Sequence, residues 1–183
     1  MTVTNSSFSS SYSLTHVSLP SSVTIVGNHT FNNCYALESI SVPSGATSIG
    51  TYAFANCKSL VSLTIPSGVT SIGATSFGSC DSLASVTIPS GVTSIGNSAL
   101  ISCFSLVSLT IPSGVTSIGT SAFSGCQGMV EYHFEPTMPP TLASTNAFTS
   151  IQSDCTIYVP SAKLNDYKTA ENWSTYASYM VGE

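Results

Sequence analysis

The chain has no arginine and only three lysines, and charged residues fill 6% of its 183 positions, against roughly 25% in an ordinary soluble domain. Nucleic-acid binding rests on clustered Lys and Arg that displace phosphate counterions, so that partner is excluded. The same scarcity argues against adhesion to anionic lipid head groups. Low charge is also usual in membrane proteins, yet no apolar run approaches the ~20 residues of a membrane-spanning helix, so no membrane insertion is expected. The start, Met1-Thr2-Val3-Thr4-Asn5, lacks the basic and apolar regions of a signal peptide. Catalytic signatures are thin as well. The three histidines, His16, His29 and His133, lie at different repeat positions. No Gly-x-Ser-x-Gly elbow and no phosphate-cradling glycine loop followed by Lys occurs. The reading is therefore no enzyme and no cofactor.

What the sequence does have is a period. Pro20, Pro43, Pro66, Pro89 and Pro112 fall 23 residues apart. Gly27, Gly50, Gly73, Gly96 and Gly119 keep the same step, as do Cys34, Cys57, Cys80, Cys103 and Cys126. Several independent columns with one period of this length mean stacked supersecondary units. Ser and Thr supply the polarity that charge usually supplies, while 42% hydrophobic residues provide a core.

Within one unit, Leu63-Thr64-Ile65 alternates as a half-buried strand does, and Pro66, lacking a donor, ends it. Gly68 and Gly73 mark tight bends. The stretch Phe77 to Cys80 is too short for a full helix and reads as a helical or 3₁₀ turn. Each coil is then a strand, a turn, an extended return carrying Val69 and Ile72, and a turn carrying Phe77. One coil cannot cover its own apolar side, and stacking does so. The inward columns are those of Leu60, Leu63, Ile65, Val69, Ile72, Phe77 and Cys80. Strand centres recur at Val17–Leu19, Ile40–Val42, Leu63–Ile65, Val86–Ile88, Leu109–Ile111, Tyr132–Phe134 and Ile157–Val159, a stack roughly 35 Å long at ~4.8 Å per strand. The expected fold is an α/β repeat solenoid with one parallel sheet of about seven strands and short helical turns opposite.

The register runs backwards off the start: Val3 sits in the Ile49 column, Phe8 in the Phe54 column and Leu14 in the Leu60 column. The first coil begins part-way through with no recognisable cap, which reads as a piece of a longer array. Such an end leaves an open sheet edge, and the association it offers is a two-fold dimer through the N-terminal ends, the alternative being disorder of the first dozen residues. At the other end Glu135-Pro136 and Pro139-Pro140 loosen the register. Residues 1–160 are assigned to the solenoid and residues 161–183 to a C-terminal helical cap. There Ser161 is placed as the N-cap of a helix to about Ala170, and Leu164, Tyr167, Trp173 and Tyr176 form a lid.

The unit Leu-x-Ser-Leu-Thr-Ile-Pro-Ser-Gly-Val-Thr-Ser-Ile-Gly-x-x-Ala-Phe-x-x-Cys-x-Ser closely resembles the BspA-like leucine-rich-repeat family. The residues that carry the resemblance are Leu60, Leu63, Ile65, Pro66, Ile72, Phe77 and Cys80 with their copies, and Ile157-Tyr-Val-Pro160 followed by Tyr167, Trp173 and Tyr176 looks like the cap of such proteins. The resemblance implies a right-handed leucine-rich-repeat coil. It also implies a non-catalytic binding or adhesion module of a secreted or cell-surface protein, with a protein or glycan ligand. The alternative is a structural spacer in a longer surface protein.

Candidate site residues lie on the outward sheet face: His16 and Ser18, Ser39 and Ser41, Ser62 and Thr64, Ser85 and Thr87, Ser108 and Thr110, then Glu131, His133 and Glu135. Alternate residues share a face, so the last three offer a grip for a cation or basic loop, with a metal-dependent site as the remote alternative. The column cysteines read as buried thiols, because parallel stacked Cβ atoms do not converge as a disulfide requires. Cys155, out of register, is expected to be the most reactive thiol. Phe104, Tyr35 and Tyr52 suggest a lateral apolar patch.

Overall fold

The computed structural model describes residues 2–183 as a stack of coils, each with three sides. The first side carries the strands read from the alternating segments: His16–Ser18, Ser39–Ser41, Ser62–Thr64, Ser85–Thr87, Ser108–Ile111, Glu131–Phe134 and Thr156–Val159. All seven expected centres are present, all paired strands are parallel, and Thr64 is exposed between buried Leu63 and Ile65. An eighth strand, Met180–Gly182, joins the end of this side against Thr156–Val159.

The continuous seven-stranded sheet, however, lies on the second side. It is made by the returns Thr2–Val3, Ile25–Val26, Ser48–Ile49, Ser71–Ile72, Ser94–Ile95, Ser117–Ile118 and Thr141–Leu142. The first side divides into two pairs and a four-stranded sheet. The returns hold together because glycine follows five of them, from Ile25–Val26 to Ser117–Ile118. A Cβ on Gly73 would lie 2.7 Å from the carbonyl carbon and oxygen of Gly50, so only glycine lets these backbones approach.

The third side holds Phe77 and its equivalents, and it contains no helix. Alternate N–H groups here leave the coil: Tyr52, Phe54 and Asn56 donate to the carbonyls of Ala74, Ser76 and Gly78 at 2.8–2.9 Å. The residues between them donate backwards in 3₁₀ fashion, as Ala55 does to Tyr52 and Cys57 to Phe54. Left-handed residues produce this alternation. They sit five and one positions before each cysteine, at Tyr52 and Asn56 (φ 55° and 60°) and Thr75 and Ser79 (φ 53° and 56°). A positive φ breaks helical propagation, so the expected helical turn becomes consecutive turns.

The interior is a set of columns. Phe8, Phe31, Phe54 and Phe77 stack with centroids 5.1, 5.4 and 5.6 Å apart and planes within 7°. Leu100 interrupts the column, and Phe123 resumes it on Phe148 at 5.2 Å. The extra residues around Thr137–Pro140 are absorbed in the connection, so Phe148 returns to the column despite arriving late in sequence.

At the C-terminal end, residues Ser161–Lys163 form a 3₁₀ turn and Leu164–Thr169 a short α-helix. Ser161 caps neither with its side chain; Pro160 is the N-cap of the 3₁₀ turn and Lys163 that of the helix, and the Ser161 N–H donates to Glu183 O at 3.0 Å. Tyr167, Trp173 and Tyr176 are buried over the last coil as expected. Their polar ends bond its backbone: Trp173 Nε1 donates to Pro140 O (2.7 Å), Tyr167 Oη to Pro136 O (2.8 Å), and Tyr176 Oη to Thr145 O while accepting from the Phe148 N–H.

Candidate binding face

On the first side, Ser39, Ser41, Ser62, Thr64, Ser85, Thr87, Ser108 and Thr110 all point outward and are exposed. Among the described residues, none of these eight hydroxyls hydrogen-bonds to another part of the chain. Threonines elsewhere behave differently. The hydroxyls of Thr47, Thr93 and Thr116 each donate to a carbonyl of the preceding coil at 3.2–3.3 Å. These three hydroxyls join neighbouring coils, whereas the eight of this row make no such bond. His16 and Ser18 extend the face at the first strand, where His16 Nε2 stands 3.7 Å from Glu38.

The row is not flat throughout. Strands Ser39–Ser41 and Ser62–Thr64 do not pair, and a groove of about 560 Å³ opens there. Ser39, Ser41, Ser62 and Thr64 line its walls, with Ile40 and Val42 on the floor. Both floor residues are only half-buried, whereas Leu63 and Ile65 are buried. The second side thins at the same junction, to the single pair Ile49 and Ile72. No feature of the repeat sequence marks this opening.

The expected acidic trio is not assembled. Glu131 Oε1 lies 3.5 Å from His133 Nε2, but Glu135 turns away and accepts the Ser113 N–H at 3.3 Å. Its place is taken by Glu183, whose carboxylate oxygens are 3.0 and 3.1 Å from His133 Nδ1. Tyr158 stacks on the imidazole at 4.7 Å. The cluster ties the sixth coil to the last residue of the chain. Among the described residues no group of three or more His, Cys, Asp or Glu is placed to hold a metal. Glu183 was not legible from spacing, because it follows an eighth strand with none of the repeat's marks.

Beside the hydroxyl row runs a ridge that the strand pattern passes over. Val61, Val107 and Val130, the residues just before Ser62, Ser108 and Glu131, are 50–52% exposed. The adjoining column holds Tyr12, stacked on Tyr35 at 5.2 Å, then Lys58, Asp81 and Phe104. Lys58 reaches back over the Tyr35 ring (5.9 Å) and forward to Asp81 (3.6 Å). Tyr52 belongs elsewhere: it stacks on His29 at 4.8 Å on the third side. The lateral patch thus contains Tyr35 and Phe104 without Tyr52. Strand alternation followed one residue further back would turn these valines inward, so their exposure was not legible from it.

All six cysteines are free and buried. The five column thiols donate to the carbonyl at the phenylalanine position of the preceding coil, as Cys80 does to Phe54 O at 3.2 Å and Cys126 to Leu100 O at 3.1 Å. Burial pushes the Cys80 thiol up to about 12. Cys155 is no exception: it is 4% exposed, and burial, then Asp154 and Glu131, push it to about 11. Losing register did not bring it to the surface. The expected partial exposure is corrected, while Cys155 remains the most exposed of the six thiols.

Comparison with known proteins agrees with this architecture. Residues 1–130 match the family model described as the BspA-type leucine-rich repeat region, in six copies. A leucine-rich repeat protein of T. pallidum is 38% identical with a TM-score of 0.70, over 72% of this chain and 62% of its own. This chain therefore spans less than two thirds of that relative. The pneumococcal vaccine antigen PcpA, 16% identical with a TM-score of 0.54 over 92% of this chain and 54% of its own, shares the fold. No curated protein matches the chain.

Proposed function

As the chain belongs to the BspA-type leucine-rich repeat family, we propose that it is a non-catalytic binding module of a secreted or cell-surface protein. Leucine-rich repeat proteins of this kind serve as binding modules or scaffolds. The observation that carries the proposal is the row of eight exposed hydroxyls that the fold itself leaves unpaired. A hydroxyl donates and accepts at once and carries no charge, so such a row suits a neutral hydrogen-bonding surface of a protein or glycan. The ridge of Val61, Val107 and Val130 beside it adds apolar contact area. Interfaces combine these elements, with apolar anchors bordered by polar groups. Among the described residues no helix is long and apolar enough to cross a membrane.

The second reading is a spacer, and the stacked columns of phenylalanine and cysteine favour it, since they tie each coil to its neighbour. The two readings separate in one experiment. The purified chain is screened against extracellular matrix proteins and a glycan array, beside a variant carrying Ser62→Arg, Thr64→Arg, Ser85→Arg and Thr87→Arg. These positions are exposed, so the variant keeps its far-UV circular dichroism. The binding reading expects at least one ligand, lost tenfold or more in the variant. No ligand on either array leaves the spacer reading standing. A ligand bound equally by both proteins moves the site to the ridge.

A further inference from the structure

The groove between Ser39–Ser41 and Ser62–Thr64 lets part of the interior reach the surface. Its two strands belong to different sheets, and no ladder joins them. The stack is stretched at this junction. The Val61 N–H lies 3.5 Å from Glu38 O, where the same bond is 2.8 Å from Glu38 to Thr15 O and 2.9 Å from Ala84 to Val61 O. In the aromatic column Phe54 and Phe77 stand 5.6 Å apart, against 5.1 and 5.4 Å for the two steps before. Ile40 and Val42 are half-buried here, and their equivalents Leu63 and Ile65 are buried. No charged and no aromatic side chain lines the groove.

Because the groove lies between parallel strands, its walls and floor repeat at every second residue. Ser39 and Ser41 stand on one wall, Ser62 and Thr64 on the other, and Ile40 and Val42 on the floor. At about 3.3 Å per residue, the members of each pair are about 6.6 Å apart. An extended peptide laid along the groove has the same repeat. Its side chains point down at every second residue, and its N–H and C=O groups face each wall at every second residue. A hydroxyl donates and accepts, so either wall can meet both groups. Aliphatic side chains pointing down would complete the burial of Ile40 and Val42. A charged one would lose water without gaining a partner, and a polyhydroxyl ligand would leave hydroxyls unpaired against the same floor.

We infer that this groove binds an extended, uncharged peptide segment of a partner protein, in which aliphatic residues alternate with small polar ones. The inference rests on the reading of this side as a binding face, and it narrows the partner from protein or glycan to one class. Each wall strand is three residues long, about 10 Å, so about three residues of the segment lie in the groove. The aliphatic residues of the segment face Ile40 and Val42, and the polar ones face solvent.

The test screens the full chain against an array of synthetic heptapeptides in which Val, Ile or Leu alternates with Ser, Thr or Asn. Beside them stand block sequences of the same composition and alternating sequences with Lys or Glu at the aliphatic positions. Peptides that bind are measured again in solution by fluorescence anisotropy. The alternating peptides are expected to bind at least tenfold more tightly than their block or charged counterparts. Ser39→Arg with Ser41→Arg, both exposed, is expected to weaken binding tenfold or more. Ser108→Arg with Thr110→Arg, equally exposed but on a strand paired with Glu131–Phe134, is expected to change it less than twofold. Both variants should keep the far-UV circular dichroism of the parent. No peptide binding, no advantage of alternation, or equal loss in the two variants overturns the inference. Glycan binding without peptide binding overturns it too but leaves the binding face standing, whereas binding of neither removes both.

Discussion

Replacing Phe77 by alanine tests whether the column carries the stability of the array. Phe77 is fully buried, stacked on Phe54 at 5.6 Å with planes 2° apart, and its other neighbour in the column is Leu100. Truncating a core phenylalanine costs about 3–5 kcal/mol. That range already contains the loss of the single ring stack, about 0.5–1.5 kcal/mol, so about 3–5 kcal/mol is expected. Phe77→Leu is the control. Leucine already fills this column at position 100 without exposure, so the chain can close around it, and about 1–2 kcal/mol is expected. Urea unfolding is followed by far-UV circular dichroism and by fluorescence of Trp173, the single tryptophan. Trp173 lies in the C-terminal lid, so coincident transitions would show that damage in the fourth coil reaches the end of the stack. A loss below about 1 kcal/mol for alanine, or equal losses for alanine and leucine, would refute the packing argument.

Two further outcomes follow from the same contacts. Gly73→Ala places a Cβ 2.7 Å from the Gly50 backbone and should cost about 1–3 kcal/mol in urea unfolding, whereas Gly45→Ala, whose Cβ meets only Ser21 O at 3.7 Å, should be neutral or slightly stabilising; equal effects would contradict the close approach. Alkaline pH should destabilise the chain: an unfolded thiol ionises near 9.0 while Cys80 holds its proton to about 12, so between these values the native state binds more protons and stability falls by about 1.4 kcal/mol per pH unit for this group; Cys80→Ala should lessen the slope measured in urea under reducing conditions, and an unchanged slope would contradict the burial.

Much of the fold was legible because the repeat supplies five or more copies of each decision. A single Leu63-Thr64-Ile65 is an ambiguous strand, but its recurrence every 23 residues fixes both its register and its buried side. The columns of Ile72, Phe77 and Cys80 were legible for the same reason. The form of the third side was not. Phe77 to Cys80 has the length and apolar content of a helical turn, and only the left-handed residues at Thr75 and Ser79 prevent one. Neither is glycine, so composition gave no sign of a positive φ. The seven-stranded sheet was also hidden, because its strands are two residues long and alternation over two residues carries no period.

The candidate site divides along the same line. The eight hydroxyls were legible, since strand alternation alone decides which way they face. The acidic trio failed because alternation places Glu135 on the correct face but says nothing of the turn that follows: Glu135 is the first residue after the strand, and the Ser113 N–H is the donor within reach. Whether each hydroxyl has a partner is likewise a property of neighbouring coils. Thr64 and Thr47 are the same residue type in the same repeat grammar, yet Thr47 reaches the Thr24 carbonyl and Thr64 reaches nothing. The difference lies in direction. Thr64 points along the strand normal into solvent, while Thr47 leads into a return strand packed one coil from its acceptor. A hydroxyl with no internal task and full exposure adds nothing to folding stability that water does not supply equally. Its recurrence over four successive coils is therefore not accounted for by the core, and the proposed contact with a partner along that face would account for it.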